Sequence, residues 1–236
     1  MWITEQMAPK VDLALSILQD IKANLLHFQD VPIRLWLKDD KFAEALKRIQ
    51  GYTLVDYLRC HILWQLAIET LPLPGHMAEV GVYKGGTAYL LAQHLGLRTL
   101  HLFDTFTGMP ETNPAIDIHK KGNFSDTSVD IVKGLLKDHM KGVEIHTGIF
   151  PATFKGLESN KWSLVHVDAD IYSSVFDSCK AFWPNLVVGG VMVFDDYGFA
   201  SCPGAKKAAD EFFSKKTGKV GFYLPTGQYL VYKVAP

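Results

Sequence analysis

Four aspartates close two hydrophobic runs. Ser163-Leu164-Val165-His166-Val167 leads into Asp168-Ala169-Asp170, and Gly190-Val191-Met192-Val193-Phe194 leads into Asp195-Asp196. Carboxylates gathered at neighbouring strand ends repel one another, and they cannot all stay ionised unless something positive sits between them. A divalent cation is the simplest remedy, because hard cations such as Mg²⁺ take carboxylate oxygens.

A second constellation lies upstream. Ala78-Glu79-Val80-Gly81-Val82-Tyr83-Lys84-Gly85-Gly86-Thr87 reads as a strand entering a glycine-rich turn that opens a helix. Glycines permit positive φ and close backbone approach, and a helix N-terminus offers free amide donors. Three residues separate Gly81 from Gly85-Gly86, so the spacing is not GxGxxG and argues against a dinucleotide dehydrogenase. The next strand, Thr99 to Phe103, ends in Asp104. An acid there is placed to accept both ribose hydroxyls of a nucleoside, although Asp104-Thr105 could equally be an ordinary turn.

These residues need elements to position them. Apolar positions Val11, Leu13, Leu15, Ile17, Leu18, Ile21, Leu25 and Leu26 recur at helical spacing until Pro32. Helices are expected over Lys41–Ile49 and Val55–Thr70. Leu71-Pro72-Leu73-Pro74-Gly75 then marks a boundary, because two prolines and a glycine cannot continue a helix. Beyond it strand and helix alternate. Strands are expected at Met77–Tyr83, Thr99–Phe103, Val143–His146, Ser163–Val167 and Val187–Phe194, and helices at Thr87–Leu95, Ser128–Met140, Ile171–Phe182 and Ala205–Lys215. Val220–Leu224 and Tyr229–Val234 flank Pro225-Thr226-Gly227-Gln228 and read as a hairpin. The alternation predicts an α/β fold, a mostly parallel sheet covered on both faces, with one antiparallel edge strand from the hairpin. A helical segment over 1–74 precedes a domain over 75–236.

The 236 residues, 48% of them hydrophobic, can build a sizeable core. No apolar run reaches the ~18 residues of a membrane span, and the N-terminus lacks the pattern of a secretory signal. With 24 basic and 25 acidic residues spread evenly, there is no electrostatic case for nucleic acid or an anionic membrane. Cys60, Cys179 and Cys202 are odd in number and far apart, which fits reduced thiols and a cytoplasmic location. The apolar helices before Pro72 either pack on the core or pair two subunits, and a homo-oligomer (dimer or higher) is expected.

Four linked motifs resemble the macrocin O-methyltransferase family: Glu79 to Thr87, Leu102-Phe103-Asp104-Thr105-Phe106-Thr107-Gly108-Met109-Pro110, Val167 to Tyr172, and Gly189-Gly190 through Phe194-Asp195-Asp196-Tyr197. They cover about residues 70 to 235 in order. The single departure is Ala169, where the family often has glycine or cysteine. The resemblance implies S-adenosylmethionine- and metal-dependent methylation of sugar hydroxyls on natural products. It also implies a Rossmann-like class I methyltransferase fold, with seven strands and an antiparallel last strand. Carried over residue by residue, Glu79, Gly81, Tyr83, Gly85, Gly86 and Thr87 would hold the methionine end of the cofactor and Asp104 its ribose. Gly148, in the run His146 to Phe150, would lie near its adenine. Asp168, Asp195 and Asp196 would ligate Mg²⁺, with Asp168 also among the cofactor contacts, and Asp170 would be the general base.

Asp170 has a competing role as N-cap of the helix that follows it. The loop Thr105–Ser125 is too long for a plain connector and reads as a lid, with His119 a candidate substrate contact. Tyr172 and Tyr197 flank the aspartates and would either line a sugar pocket or pack as ordinary aromatics. Three other functions compete. An Asp-x-Asp glycosyltransferase leaves the glycine loop, Asp104 and Asp195-Asp196 without a shared role. A catechol-type methyltransferase shares the metal logic, and a non-catalytic relative would have no need of all four aspartates.

Overall fold

The computed structural model describes residues 38–235, so the expected helix over Val11–Leu26 and its stop at Pro32 lie outside the described residues. Residues 41–236 form one compact unit. Its helices are α1 (Asp40–Arg48), α2 (Tyr57–Glu69), α3 (Gly86–Ala92), α4 (Val129–Leu135), α5 (Tyr172–Phe182) and α6 (Pro203–Phe213). Its strands are β1 (His76–Val80), β2 (Leu100–Asp104), β3 (Val143–Thr147), β4 (Trp162–Val167), β5 (Leu186–Phe194), β6 (Lys219–Tyr223) and β7 (Tyr229–Lys233). Helix α4 is shorter than expected. Ser128 caps it by accepting from the Ile131 amide at 3.2 Å, and the helix ends one residue beyond Gly134.

The strands form one seven-stranded sheet in the order β3-β2-β1-β4-β5-β7-β6. β1 to β5 are mutually parallel, and β7 runs antiparallel to both its neighbours. The expected antiparallel edge strand is therefore corrected: β7 lies inside the sheet and β6 forms the edge. Burial gives the reason. Leu230 and Val231 of β7 are buried, whereas four of the five β6 residues are exposed, so the more apolar strand takes the covered position.

Both faces of the sheet are covered. On one, α5 and α6 contribute Val175, Cys179, Phe182, Ala205 and Ala208 to a core with Phe103, Phe150, Phe154 and Trp162. On the other, Leu63, Leu66 and Ala67 of α2 and Leu91 and Ala92 of α3 pack on Met77, Leu100, Leu102, Leu164 and Val191. Each fully buried Val, Leu, Phe or Met among them contributes about 1.5–3 kcal/mol. Leu71–Gly75 thus links α2 to β1 within a continuous core. Among the described residues no helix is long and apolar enough to cross a membrane.

Register is what builds the site. Phe103 pairs with Val80, Val80 with Val167, and Val167 with Phe194. The residues next along these parallel strands are Asp104, Gly81, Asp168 and Asp195. One row across the sheet therefore carries three carboxylates and the first glycine of the loop, at the carboxyl ends of the strands where ligands bind in open α/β sheets.

Candidate active site

Gly81 holds φ +87°, and a Cβ there would lie 1.8 Å from the Asp168 carbonyl oxygen. Only glycine lets the β1 and β4 ends approach this closely. Gly85, also left-handed, caps α3, and a Cβ on Gly86 would meet the Tyr52 carbonyl oxygen at 2.8 Å. Asp104 braces the turn: Oδ2 accepts from the Val82 and Tyr83 amides at 2.7 and 2.9 Å, and Oδ1 from the Phe106 amide at 2.7 Å. Tyr83 and Phe106 both have positive φ, a conformation that costs a non-glycine residue free energy unless its surroundings hold it. A carboxylate has about four lone-pair sites, so three backbone donors leave one for a further partner.

Beneath this row runs a buried chain of charge. The Glu79 carboxylate meets His166 Nδ1 at 2.8 Å, and His166 Nε2 faces Asp195 Oδ1 at 3.4 Å. Gln228 Nε2 donates to the same Asp195 oxygen at 2.8 Å, and Arg59 Nη1 donates to Oδ2. Arg59 reaches in from α2, where its Nε also binds the N-cap Asp56 at 2.7 Å, and its guanidinium lies 4.5 Å from the Phe199 ring centre. Burial alone would lower the His166 pKa, but the bonds and charges of Asp195 and Glu79 raise it well above the usual imidazole value. Burial would raise Asp195, but His166, Arg59 and Gln228 bring it below the usual carboxylate range.

Asp168 and Asp196 are the opposite case. Burial, and then neighbouring carboxylate charge, push both well above the usual range; Asp195 and Asp196 act on Asp168, and Asp170 and Asp195 act on Asp196. Among the described residues no donor reaches the Asp168 carboxylate, and Asp196 Oδ2 accepts the Asp170 amide at 2.9 Å. Ligand atoms of His166, Asp168 and Asp195 lie within 4.8 Å of one another. The carboxylate oxygens of Asp168 and Asp196, with their unrelieved negative charge, fit a hard divalent cation, whereas both ring nitrogens of His166 already face carboxylates.

Asp170 is not a helix cap. The N-cap of α5 is Ile171, which makes no side-chain cap bond. Asp170 adopts φ +58° and lines the cavity. Its Oδ1 accepts from Cys202 Sγ at 3.3 Å and lies 3.5 Å from His119 Nε2. Burial raises its pKa, with His119 and Cys202 acting against that rise. The cap is supplied from the long loop, as Asp117 Oδ1 accepts the Tyr172 amide at 2.8 Å and Oδ2 the Asn113 amide at 3.1 Å. The long loop is also cross-tied by Met109 N to Asn123 O and Gly122 N to Met109 O.

A cavity of about 290 Å³ opens over the row, roughly the lower end of small-ligand sites. Of the expected site residues, Gly81, Tyr83, Thr87, Asp104, His119, Gly148, Asp168, Asp170 and Asp196 line it. Glu79 and Asp195 lie beneath it, fully buried, and Gly85 and Gly86 shape the turn behind it. Tyr172 and Tyr197 are not among the residues that line it; their hydroxyls donate to Glu211 and Asp210 at 3.0 and 2.7 Å. Arg59, Asp117, His166, Phe199 and Cys202 escaped the sequence reading. Only His166, inside the aspartate-tipped strand, sat where a signal existed.

The family model of macrocin O-methyltransferases matches residues 43–219. The chain belongs to the macrocin O-methyltransferase family. Among the relatives of this family member, a tetracenomycin-C rhamnosyl 4'-O-methyltransferase of Streptomyces olivaceus is 28% identical over 219 residues, 81% of this chain and 82% of its own. Mycinamicin III 3''-O-methyltransferase of Micromonospora griseorubida is 23% identical over 220 residues, 81% of this chain and 85% of its own. The solved O-methyltransferase NovP superposes with a TM-score of 0.70 at 23% identity, covering 78% of this chain and 83% of its own. This family member thus has the class I methyltransferase fold, seven strands with an antiparallel β7.

Proposed function

We propose that this family member transfers a methyl group from S-adenosylmethionine to a sugar hydroxyl of a small glycosylated molecule, with Mg²⁺ or another divalent cation held by Asp168, Asp195 and Asp196. The observation that supports the reading is the register row: Asp104, the first glycine of the turn, Asp168 and Asp195 stand side by side at the strand ends, with one cavity opening over them. The sugar class is supported by the relative named for 4'-O-methylation of a rhamnosyl tetracenomycin, beside one named for 3''-O-methylation of mycinamicin III.

Each residue then has a role. Gly81 and the braced turn after it receive the methionine end of the cofactor, and the remaining lone pair of Asp104 takes a ribose hydroxyl. Gly148 and its neighbour Ile149, which is 59% exposed, offer a flat apolar seat for adenine. S-adenosylmethionine brings a methyl group already activated on sulfur, so the protein's main contribution is alignment, worth about 7–11 kcal/mol in well-oriented systems. A divalent cation, when bound, supplies Lewis acidity that lowers the pKa of an alcohol. Asp170 takes the hydroxyl proton, and a base with a raised pKa suits that task. His119 on the lid helps keep Asp170 ionised until the proton arrives. Asp117 holds the lid in place, and the lid excludes water.

Methyl transfer from labelled S-adenosylmethionine to a panel of rhamnosides and catechols, with Mg²⁺ and with chelator, tests the reading. Turnover on glycosides that chelator abolishes is expected. Turnover confined to catechols would replace the substrate class, and chelator-insensitive turnover would remove the cation.

A further inference from the structure

Apart from the aspartates, β2 and β3 carry a second group of metal-type ligands. These parallel strands pair His101 with Glu144 and Phe103 with His146. Strand alternation therefore puts His101, Glu144 and His146 on one face of the sheet. His101 Nδ1 lies 3.0 Å from His146 Nε2 and 3.4 Å from Glu144 Oε2, and the latter two atoms are 3.9 Å apart. We propose that His101, Glu144 and His146 form a binding site for a divalent transition-metal ion of the zinc type, separate from the aspartate centre.

The geometry carries this proposal. A point about 2.0 Å from all three atoms exists within a triangle of those edges, which is the length of a zinc–imidazole or zinc–carboxylate bond. The rings are held in place, since His146 stacks on Phe103 with centroids 4.6 Å apart and lies nearly parallel to His101. His101 is 3% exposed, His146 is 20% exposed, and the Glu144 side chain is 58% exposed. The site is thus rigid on its inner side and open on its outer side, leaving a fourth position for water.

Protonation agrees with ligation. Burial, then His146 and His76, lower the His101 pKa to about 4, and burial lowers that of His146. Both imidazoles are therefore neutral near pH 7, the form that binds metal. With both rings neutral, at most one of the two ring nitrogens can donate to the other, whereas a cation engages all three atoms. Two imidazoles and a carboxylate favour zinc, cobalt or nickel over Mg²⁺. A bound ion would tie β3 to β2 just before Thr147-Gly148.

The test is calorimetric titration of Zn²⁺ into tag-free protein in millimolar Mg²⁺, with Co²⁺ absorption recorded in parallel. One equivalent binding tighter than about 10 µM is expected, with a Co²⁺ spectrum free of thiolate charge transfer. Glu144→Gln and His146→Ala should each weaken it at least tenfold while keeping the far-UV spectrum, and Cys202→Ser should bind as the unaltered protein does. Glu144 is exposed, so its variant remains informative if His146→Ala fails to fold. Absence of binding, equal binding by Glu144→Gln, or loss in Cys202→Ser would each overturn the proposal; the last would move the ion to His119, Asp170 and Cys202.

Discussion

Arg59 donates to the Asp195 carboxylate across 136 residues of sequence, joining α2 to the end of β5 beneath the cavity. Arg59 is raised above its usual pKa because Asp195 and Asp56 outweigh the lowering effect of burial. Its guanidinium supplies, in the metal-free protein, positive charge that a cation between Asp168 and Asp195 would otherwise provide. At the proposed metal site, arginine and cation would compete for one carboxylate. Arg59→Met is expected to destabilise the metal-free protein by roughly 3 kcal/mol, the cost of leaving a buried charge short of a partner. The same change should tighten Mg²⁺ binding. Thermal melting and Mg²⁺ calorimetry measure both, and unchanged or weaker Mg²⁺ affinity would show that the arginine does not compete.

Asp170→Asn keeps the shape of the side chain and removes its ability to accept a proton. Loss of the base should lower kcat by about 10²–10⁴-fold, with S-adenosylhomocysteine affinity within twofold of the unaltered protein. Steady-state kinetics beside calorimetry separates the two effects. A kcat close to the original would pass the proton to His119 or to solvent.

Asp117→Ala removes the acceptor for the Tyr172 and Asn113 amides. The expected cost is about 1–2 kcal/mol, with faster hydrogen exchange across residues 109–123 and a raised acceptor KM. Gly204→Ala should reproduce the exchange phenotype, because its new methyl would lie 1.9 Å from Asp117 Oδ1. Exchange unchanged in both variants would mean that Asp117 does not hold the lid.

Acidity links the centre to stability. Asp168 and Asp196 have folded pKa values raised above the unfolded value of roughly 4. Over that interval the folded state binds more protons than the unfolded state. Stability is therefore fully present below the unfolded pKa and is lost as pH rises through the folded one. His166, also raised, adds a loss of the same sign beginning near pH 6.5. Mg²⁺ binds the deprotonated carboxylates, so the rise in Tm that it produces should grow from pH 5 to pH 8. A rise that is flat or falls with pH would contradict the arrangement.

The sheet was legible because β4 and β5 are largely apolar runs ending in acids, and the turn because glycines mark it. The bounds of most elements fall within a few residues of expectation for the same reason. What escaped depends on contacts distant in sequence. No local pattern says that Arg59 meets Asp195, that Asp117 caps α5, or that β7 inserts beside β5 and leaves β6 at the edge. Asp104 was legible as an acid at a strand tip, but its three backbone donors arise only once the turn folds back on it. Tyr172 and Tyr197 sit next to the aspartates in sequence, yet helix geometry and the turn after β5 carry their hydroxyls to α6. Proximity along the chain misleads where a strand ends and direction changes.

The most direct test of the account is calorimetric titration of S-adenosylhomocysteine, with Mg²⁺ and with chelator, into the unaltered protein and Gly81→Ala. A dissociation constant on the order of micromolar is expected for the unaltered protein. A separate Mg²⁺ event that Asp195→Ala abolishes is expected as well, with no cofactor binding in Gly81→Ala, whose methyl would strike the Asp168 carbonyl. Failure of the unaltered, folded protein to bind S-adenosylhomocysteine under either condition would contradict the cofactor site, and with it the proposed methyl transfer.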